Sequence, residues 1–205
     1  MIVPFGKYRR KTYLFLLNTE PTYMDWLLRQ SWFPKQYPQD YSHCVQLKNT
    51  PDIVKTNENF IVYTDGSCPC NGKKNAACGI GIHFSRKNSI HLPDISEPVH
   101  SIQGTNNLAE LMAIYRAIEE TKHIPNVIIY TDSKYAIDSI TRWYEIWVKT
   151  KKENSKKHIE LIRSIYHSYK QYQIELKHIK AHTGKLDEHS IGNMIADKLA
   201  TQSIT

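Results

Sequence analysis

Short apolar runs with β-branched and aromatic residues mark four strands in the part of the chain from residue 60 onward. They are FIVYTDG (60–66), CGIGIHFS (78–85), NVIIYTDS (126–133) and QIELKHIK (173–180). A further strand is expected at SIHL (89–92) or at PVHSIQ (98–103), and it would join the first two in an antiparallel meander.

Apolar residues spaced three and four apart predict four helices in the same region. They cover residues 105–122, 133–149, much of 156–172, and 190–202. The resulting order, β-β-β-α-β-α-α-β-α, begins with hairpins and then alternates strand with helix. This order predicts an α/β fold with a mixed five-stranded sheet flanked by helices.

The first part of the chain has a different character. Residues 1–47 are rich in aromatic side chains and residues 48–59 are polar, so we expect a small N-terminal appendage, a linker, and a main domain at 60–205. A length of 205 residues suits one domain with such an appendage.

Composition limits the class of protein, its cellular location and its partners. A 40% hydrophobic content provides a core, and no apolar stretch is long enough to span a membrane. No signal peptide is evident, so an intracellular protein, cytoplasmic or nuclear, is expected, with its four cysteines as free thiols. The net charge of +7 points weakly to a polyanionic partner such as nucleic acid.

Four acidic residues stand where chemistry is expected in such a fold. Asp65 and Asp132 close strands, Glu110 lies in the first turn of a helix, and Asp197 lies on the last helix. If the two strands are parallel neighbours, the carboxylates converge, and an all-oxygen cluster favours Mg²⁺ or Mn²⁺ in a two-metal phosphodiester site. Each acid taken singly also fits a structural role, as a turn residue, a helix cap or a solvated charge.

Four motifs, YTDGSCPCNG, GTNNLAELMAI, IIYTDSKYAI and AHTG…GNMIADKLA, resemble those of type 1 ribonuclease H, in the same order. The resemblance covers about Phe60 to Gln202. It implies a ribonuclease H-like fold and an endonuclease that cleaves the RNA strand of RNA/DNA hybrids with two Mg²⁺ ions, for which Mn²⁺ can substitute. The products would carry 5′-phosphate and 3′-hydroxyl ends.

The resemblance also implies roles for the acids. Asp65 would bridge both ions, Glu110 and Asp132 would hold the ion on the leaving-group side, and Asp197 would complete the ion on the nucleophile side. A fifth catalytic residue is implied by AHTG, where His182 resembles a mobile histidine that assists proton transfer.

The loop after that motif is longer than is usual in the family. It contains a second histidine, so His189 competes with His182 for the assisting role.

Several polar residues resemble the family's contacts to the hybrid. Asn71, Asn106 and Asn107 would read the minor groove, while Thr105 and Asn154 would belong to a pocket for a DNA phosphate. Asn193 resembles a residue beside the metals, and its structural alternative is an N-terminal helix cap.

A basic segment with two tryptophans suits a nucleic-acid groove. Trp143 and Trp147 are four residues apart and therefore share a helix face. Residues 142–157 carry six basic and two acidic side chains. The alternative is a pair of core tryptophans beside a solvated lysine run.

The N-terminal segments VPFGKYRRKTY and YMDWLLRQSWF resemble a small module at the C-terminus of exodeoxyribonuclease X-like proteins. That resemblance implies a role in nucleic-acid association, and a packing appendage is the alternative. For the whole chain, a non-catalytic hybrid-binding protein and a nuclease acting on DNA remain the competing functions.

Overall fold

The computed structural model describes residues 3–9, 11, 13, 16–17, 20–49, 59–73, 76–88, 91–99, 104–122, 124–181 and 184–204. The chain forms two compact units, Met1–Asn57 and Glu58–Thr205. No helix within these described ranges is long and apolar enough to cross a membrane.

The N-terminal unit is helical and has a core of its own. The helices whose bounds the described residues define are α1 (Pro21–Leu28), α2 (Phe33–Gln36) and α3 (Pro38–Asn49). Aromatic side chains dominate the core, where Tyr13 and Phe33 are fully buried. The edge of Phe5 packs on Trp32, with ring centroids 5.2 Å apart. The aromatic richness of this segment is therefore explained by packing within the unit.

The second unit is built on the predicted sheet. Its strands are β1 (Phe60–Ser67), β2 (Cys78–Phe84), β3 (Ile95–Val99), β4 (Val127–Thr131) and β5 (Glu175–His178). They lie in the order β3-β2-β1-β4-β5. β1, β2 and β3 pair antiparallel, whereas β1 with β4 and β4 with β5 pair parallel. The predicted mixed five-stranded sheet is confirmed.

Helices cover both faces of this sheet. They are α4 (Asn106–Thr121), α5 (Lys134–Asp138), α6 (Tyr144–Lys149), α7 (Ile159–Tyr172) and α8 (Glu188–Gln202). Ile80 and Ile82 of β2 pack in the core with α4 and α7, whereas Gly81 lies beneath α8. A Cβ on Gly81 would stand 1.9 Å from the carbonyl oxygen of Ala196, so the glycine permits the close approach of α8.

Three predicted elements differ from the structure. The third strand lies at Ile95–Val99 and so overlaps the second predicted position, 98–103, only at Pro98 and Val99. Residues 89–90 and 100–103 of the two predictions fall outside the described residues. The helix predicted at 133–149 contains a π-helical turn at Ser139–Trp143, which separates α5 from α6. α8 begins before residue 190 because the Asp187 carboxylate accepts a hydrogen bond from the backbone N–H of Ser190.

The prediction of four free thiols is wrong for one pair. Cys68 and Cys78 form a disulfide, while Cys44 and Cys70 are free. The reason lies in the strand register. Ser67 on β1 pairs with Gly79 on β2, so the next residues outward face each other with their Cα atoms 4.2 Å apart.

Candidate nucleic-acid cleavage site

Three carboxylates meet at the carboxyl ends of two parallel strands. Thr64 on β1 pairs with Thr131 on β4, and this register makes Asp65 and Asp132 neighbours, as predicted. Glu110 reaches them from the second turn of α4. One oxygen from each of the three side chains lies within 4.8 Å of the others.

Gly66 allows Glu110 to join the cluster. A Cβ at this position would stand 2.3 Å from the backbone nitrogen of Glu110 and 2.4 Å from the carbonyl carbon of Ala109. Real Cβ atoms do not approach backbone this closely, so α4 packs directly on the β1 backbone only because residue 66 is glycine. The Asp-Gly pair of β1 thus provides both a carboxylate and the room for a second one.

Asp197 approaches the cluster from α8. It is not one of the three residues whose oxygen atoms lie within 4.8 Å of one another, but its charge acts on Asp65. Burial, followed by the charges of Asp132 and Asp197, raises the pKa of Asp65 to about 7. Burial, followed by the charges of Asp65 and Asp132, likewise raises the pKa of Glu110. Three of the four predicted acids, Asp65, Glu110 and Asp132, therefore form one group of mutually repelling carboxylates, and the charge of Asp197 adds to the repulsion at Asp65.

A divalent cation fits this donor set. The Oε2 atom of Glu110 is buried and has no hydrogen-bond partner among the described residues, so a bound cation would satisfy an oxygen that is otherwise unpaired. The three clustered ligands are carboxylates without cysteine or histidine, which suits hard Mg²⁺ or Mn²⁺. Asp65, Glu110 and Asp132 would hold such an ion, with Asp197 beside them.

The helix-capping roles considered as alternatives for single acids are filled by other residues. Ser133, not Asp132, caps α5, because its hydroxyl accepts from the N–H of Ala136. Thr105 caps α4, since its hydroxyl accepts from the N–H of Leu108. These caps leave Asp132 and Glu110 available to the cluster.

Asn193 does not cap a helix either. It lies in the second turn of α8, is only 3% exposed, and donates from Nδ2 to the Asp132 carboxylate over 3.2 Å. Its Oδ1 is buried and has no hydrogen-bond partner in the part of the chain that the structure describes. The amide therefore positions one of the clustered carboxylates.

A polar cavity of about 430 Å³ lies at the N-terminus of α4. It is lined by Asn71, Thr105, Asn106 and Asn107, and the Asn71 side-chain oxygen accepts from the N–H of Asn106 over 3.1 Å. The residues predicted to read the minor groove are thus adjacent.

Lys157 and His158 also line this cavity. Lys157 belongs to the basic segment 142–157, whereas His158 was not among the predicted site residues. His158 Nε2 lies 3.4 Å from the Thr105 hydroxyl. Asn154, predicted to accompany Thr105, is exposed on a short 3₁₀ turn and does not line the cavity.

The comparisons with known proteins agree with this geometry. The family model for RNase H matches residues 57–205. The chain belongs to the RNase H family. The ribonuclease H of Orientia tsutsugamushi (strain Boryong) is 35% identical over 144 residues, which are 68% of this chain and 79% of that protein.

Two further similarities extend the RNase H comparison. The ribonuclease H of Schizosaccharomyces pombe is 34% identical over 151 residues, which are 72% of this chain and 53% of that protein, so the match spans about half its length. The solution structure of the PFV RNase H domain has a TM-score of 0.56 at 29% identity, covering 72% of this chain and 96% of that domain. Residues 57–205 are thus a ribonuclease H-type nuclease domain, and the N-terminal unit lies outside the family match.

Two histidines of the RNase H domain, His182 and His189, are the predicted candidates for the assisting role. His182 lies outside the described residues, so its role stays a prediction. His189 is on the first turn of α8, where its Nδ1 lies 3.1 Å from the Tyr63 hydroxyl and its ring packs on Tyr130, 4.3 Å between centroids. These contacts fasten α8 to β1 and β4 and give His189 a packing role.

Trp143 and Trp147 lie close together on the RNase H domain, with ring centroids 6.0 Å apart, and Trp143 also contacts Tyr135. The Lys156 ammonium lies 5.4 Å from the Trp147 ring centroid. Trp147 packs partly against the core, while the fully inward position is taken by Tyr144. The pair is half-buried, so neither the groove nor the core interpretation excludes the other.

Proposed function

We propose that this chain is an endonuclease that hydrolyses the RNA strand of RNA/DNA hybrids with two Mg²⁺ ions and leaves 5′-phosphate and 3′-hydroxyl ends. The observation that carries the proposal is the convergence of Asp65, Glu110 and Asp132 within 4.8 Å, with a buried, unpartnered oxygen on Glu110. Membership of the RNase H family supports the choice of hybrid over other nucleic acids.

The chain's own residues would hold and orient the reacting groups. Bound at the carboxylates, the metal ions would supply an activated water and stabilise the leaving oxygen. Asn193 fixes the Asp132 carboxylate by a hydrogen bond, and Gly66 fixes the distance between β1 and Glu110. His182 is proposed as the residue that assists proton transfer.

Hybrid recognition is proposed for two surfaces beside the carboxylates. The asparagines at the N-terminus of α4 present amide donors and acceptors suited to ribose 2′-hydroxyls. Trp143 and Trp147, with Lys156 beside them, offer flat faces and positive charge suited to the DNA strand.

The decisive experiment compares wild type with Asp132→Asn on an end-labelled hybrid, in Mg²⁺ and in EDTA. We expect Mg²⁺-dependent cleavage by wild type, products with 5′-phosphate and 3′-hydroxyl ends, and no cleavage by the variant despite near-wild-type hybrid binding. Metal-independent binding without cleavage would favour a hybrid-binding adaptor instead, and cleavage of plain duplex DNA would favour a DNA nuclease.

A supporting role in nucleic-acid association is proposed for the N-terminal unit. Lys7 lies over the Tyr8 ring, and the rings of Tyr8, Tyr23 and Trp26 follow one another at 4.7 and 5.3 Å. Trp26 is 47% exposed. In a single-strand binding assay, Trp26→Ala should weaken affinity in the full chain, whereas Gln36→Ala, an exposed change that leaves the net charge unaltered, should not.

A further inference from the structure

A second cavity adjoins the carboxylate cluster from the side of α8. It has a volume of about 300 Å³, and Asp197 forms part of its wall. None of its lining residues also lines the polar cavity at the N-terminus of α4. The two cavities are therefore separate surfaces, and only this one shares a side chain with the carboxylates.

The wall combines positive charge with exposed apolar side chains. Lys180 and Lys185 contribute the charge. Leu186, Ile191 and Met194 contribute the apolar surface and are 89%, 37% and 61% exposed. The three side chains line one cavity, and exposed apolar side chains that form a contiguous patch mark a contact surface.

Nucleic acid is complementary to both the lysines and the apolar side chains of this wall. Its phosphates pair with lysine ammonium groups, and its sugars and bases pack on apolar side chains. Asp197 lies both in the wall of this cavity and beside the carboxylates. A nucleic-acid strand bound in the cavity would therefore present its own phosphodiester to the carboxylates. Under the proposed function that strand is the RNA.

We infer that Lys180 and the exposed face of α8 at Met194 form a subsite for the RNA strand on one side of the scissile bond. This inference rests on the proposed function and adds to it Lys180 and Met194, which are not among the predicted substrate contacts; of those contacts, Asn193 lines the same cavity. The subsite holds the strand being cut, while the cavity with Asn71 and Thr105 lies elsewhere around the carboxylates.

The test uses the full chain and hybrids with a short central ribonucleotide stretch that fixes the cut. Lys180→Ala should raise KM about three- to tenfold near 0.1 M salt with kcat changed less than twofold, and the salt slope of log(kcat/KM) should become shallower by about 0.9. Met194→Ser should raise KM in the same direction. Trimming the hybrid on the side of the subsite should remove the difference between wild type and both variants.

Lys122→Ala is the matched control. Lys122 follows the last turn of α4, a helix of 16 residues and so about 24 Å long, whose other end carries the site. It should leave KM and the salt slope unchanged. If wild type cleaves the hybrid but Lys180→Ala leaves KM unchanged, the subsite is wrong and the proposed function stands. The same holds if Lys122→Ala raises KM as much as Lys180→Ala does. Wild type that cuts no hybrid would overturn the proposed function as well.

Discussion

Removing one negative charge from the carboxylate cluster should stabilise the metal-free protein while abolishing its activity. Asp65 is 7% exposed, and burial together with the charges of Asp132 and Asp197 raises its pKa to about 7 from an ordinary 3.8. Asp65→Asn replaces the carboxylate with a neutral group of the same size. The variant therefore keeps the shape of the site without its repulsion.

The sign and size of the change in unfolding free energy follow from the pKa of Asp65 in the unfolded chain and in the folded protein. In the unfolded chain Asp65 loses its proton near pH 3.8, whereas in the folded protein it does so near 7, so wild type loses stability as pH rises through this interval. A tenfold change in proton affinity is worth about 1.4 kcal/mol, which sets an upper limit of about 4 kcal/mol above pH 7. Half of that limit would raise Tm by about 4–8 °C.

Thermal unfolding in EDTA at pH 8 and near pH 4 measures the stability difference between wild type and Asp65→Asn. Asp65→Asn should have the higher Tm at pH 8, and the difference should shrink towards pH 4, where the wild-type carboxyl is protonated in both states. Added Mg²⁺ should raise the Tm of wild type by binding the folded state and should raise that of the variant much less.

Asp94→Asn is the matched control for this experiment. The Asp94 carboxylate pairs with the Arg86 guanidinium at 3.0 Å and with His83. Loss of its charge removes attraction instead of repulsion, so Tm should fall. If Asp65→Asn is no more stable than wild type at pH 8 in EDTA, while its circular dichroism is unchanged, the repulsion argued for the cluster is absent.

Three other substitutions test separate parts of the site. Gly66→Ala should lower Tm and cleavage together, since its Cβ would overlap the α4 backbone and the forced shift costs about 1–3 kcal/mol; retained Tm and activity would contradict the close approach. Asn193→Ala should lower cleavage about 10- to 100-fold in kinetic assays with hybrid affinity largely kept, because it frees the Asp132 carboxylate. Trp143→Ala should weaken hybrid binding by about 1–3 kcal/mol in a titration, whereas an unfolded variant would assign the ring to the core.

The convergence of the acids was predictable because it depends on strand order. Asp65 and Asp132 each follow a β-rich run, and two parallel neighbours bring their ends to one edge of the sheet. The motifs extended this to Glu110 and Asp197, which lie on helices. The hydrophobic pattern alone does not specify how far a helix residue reaches, and here that reach depends on Gly66.

Features set by local geometry escaped prediction. β3 contains Pro98 and alternates weakly, as an edge strand can, so its position was ambiguous. The Cys68–Cys78 pairing depends on the β1–β2 register, which composition does not reveal. His158 has a left-handed backbone conformation before α7, and its approach to Thr105 follows from that turn.

The alternation of β1 explains why the carboxylates can gather only at the end of this strand. Asp65 faces α8 and Asp197, whereas Gly66, the next residue, faces α4 and lets the backbone of Glu110 approach. Within the sheet, side chains from α4 and α8 are kept apart by the strands between them. Beyond Thr131, where β4 ends, they can meet beside the last residues of β1, so the two helices must both pack close to the backbone there. Glycine at 66 and at 81 meets this need on opposite faces, which makes these two positions as decisive for the geometry of the site as the acids themselves.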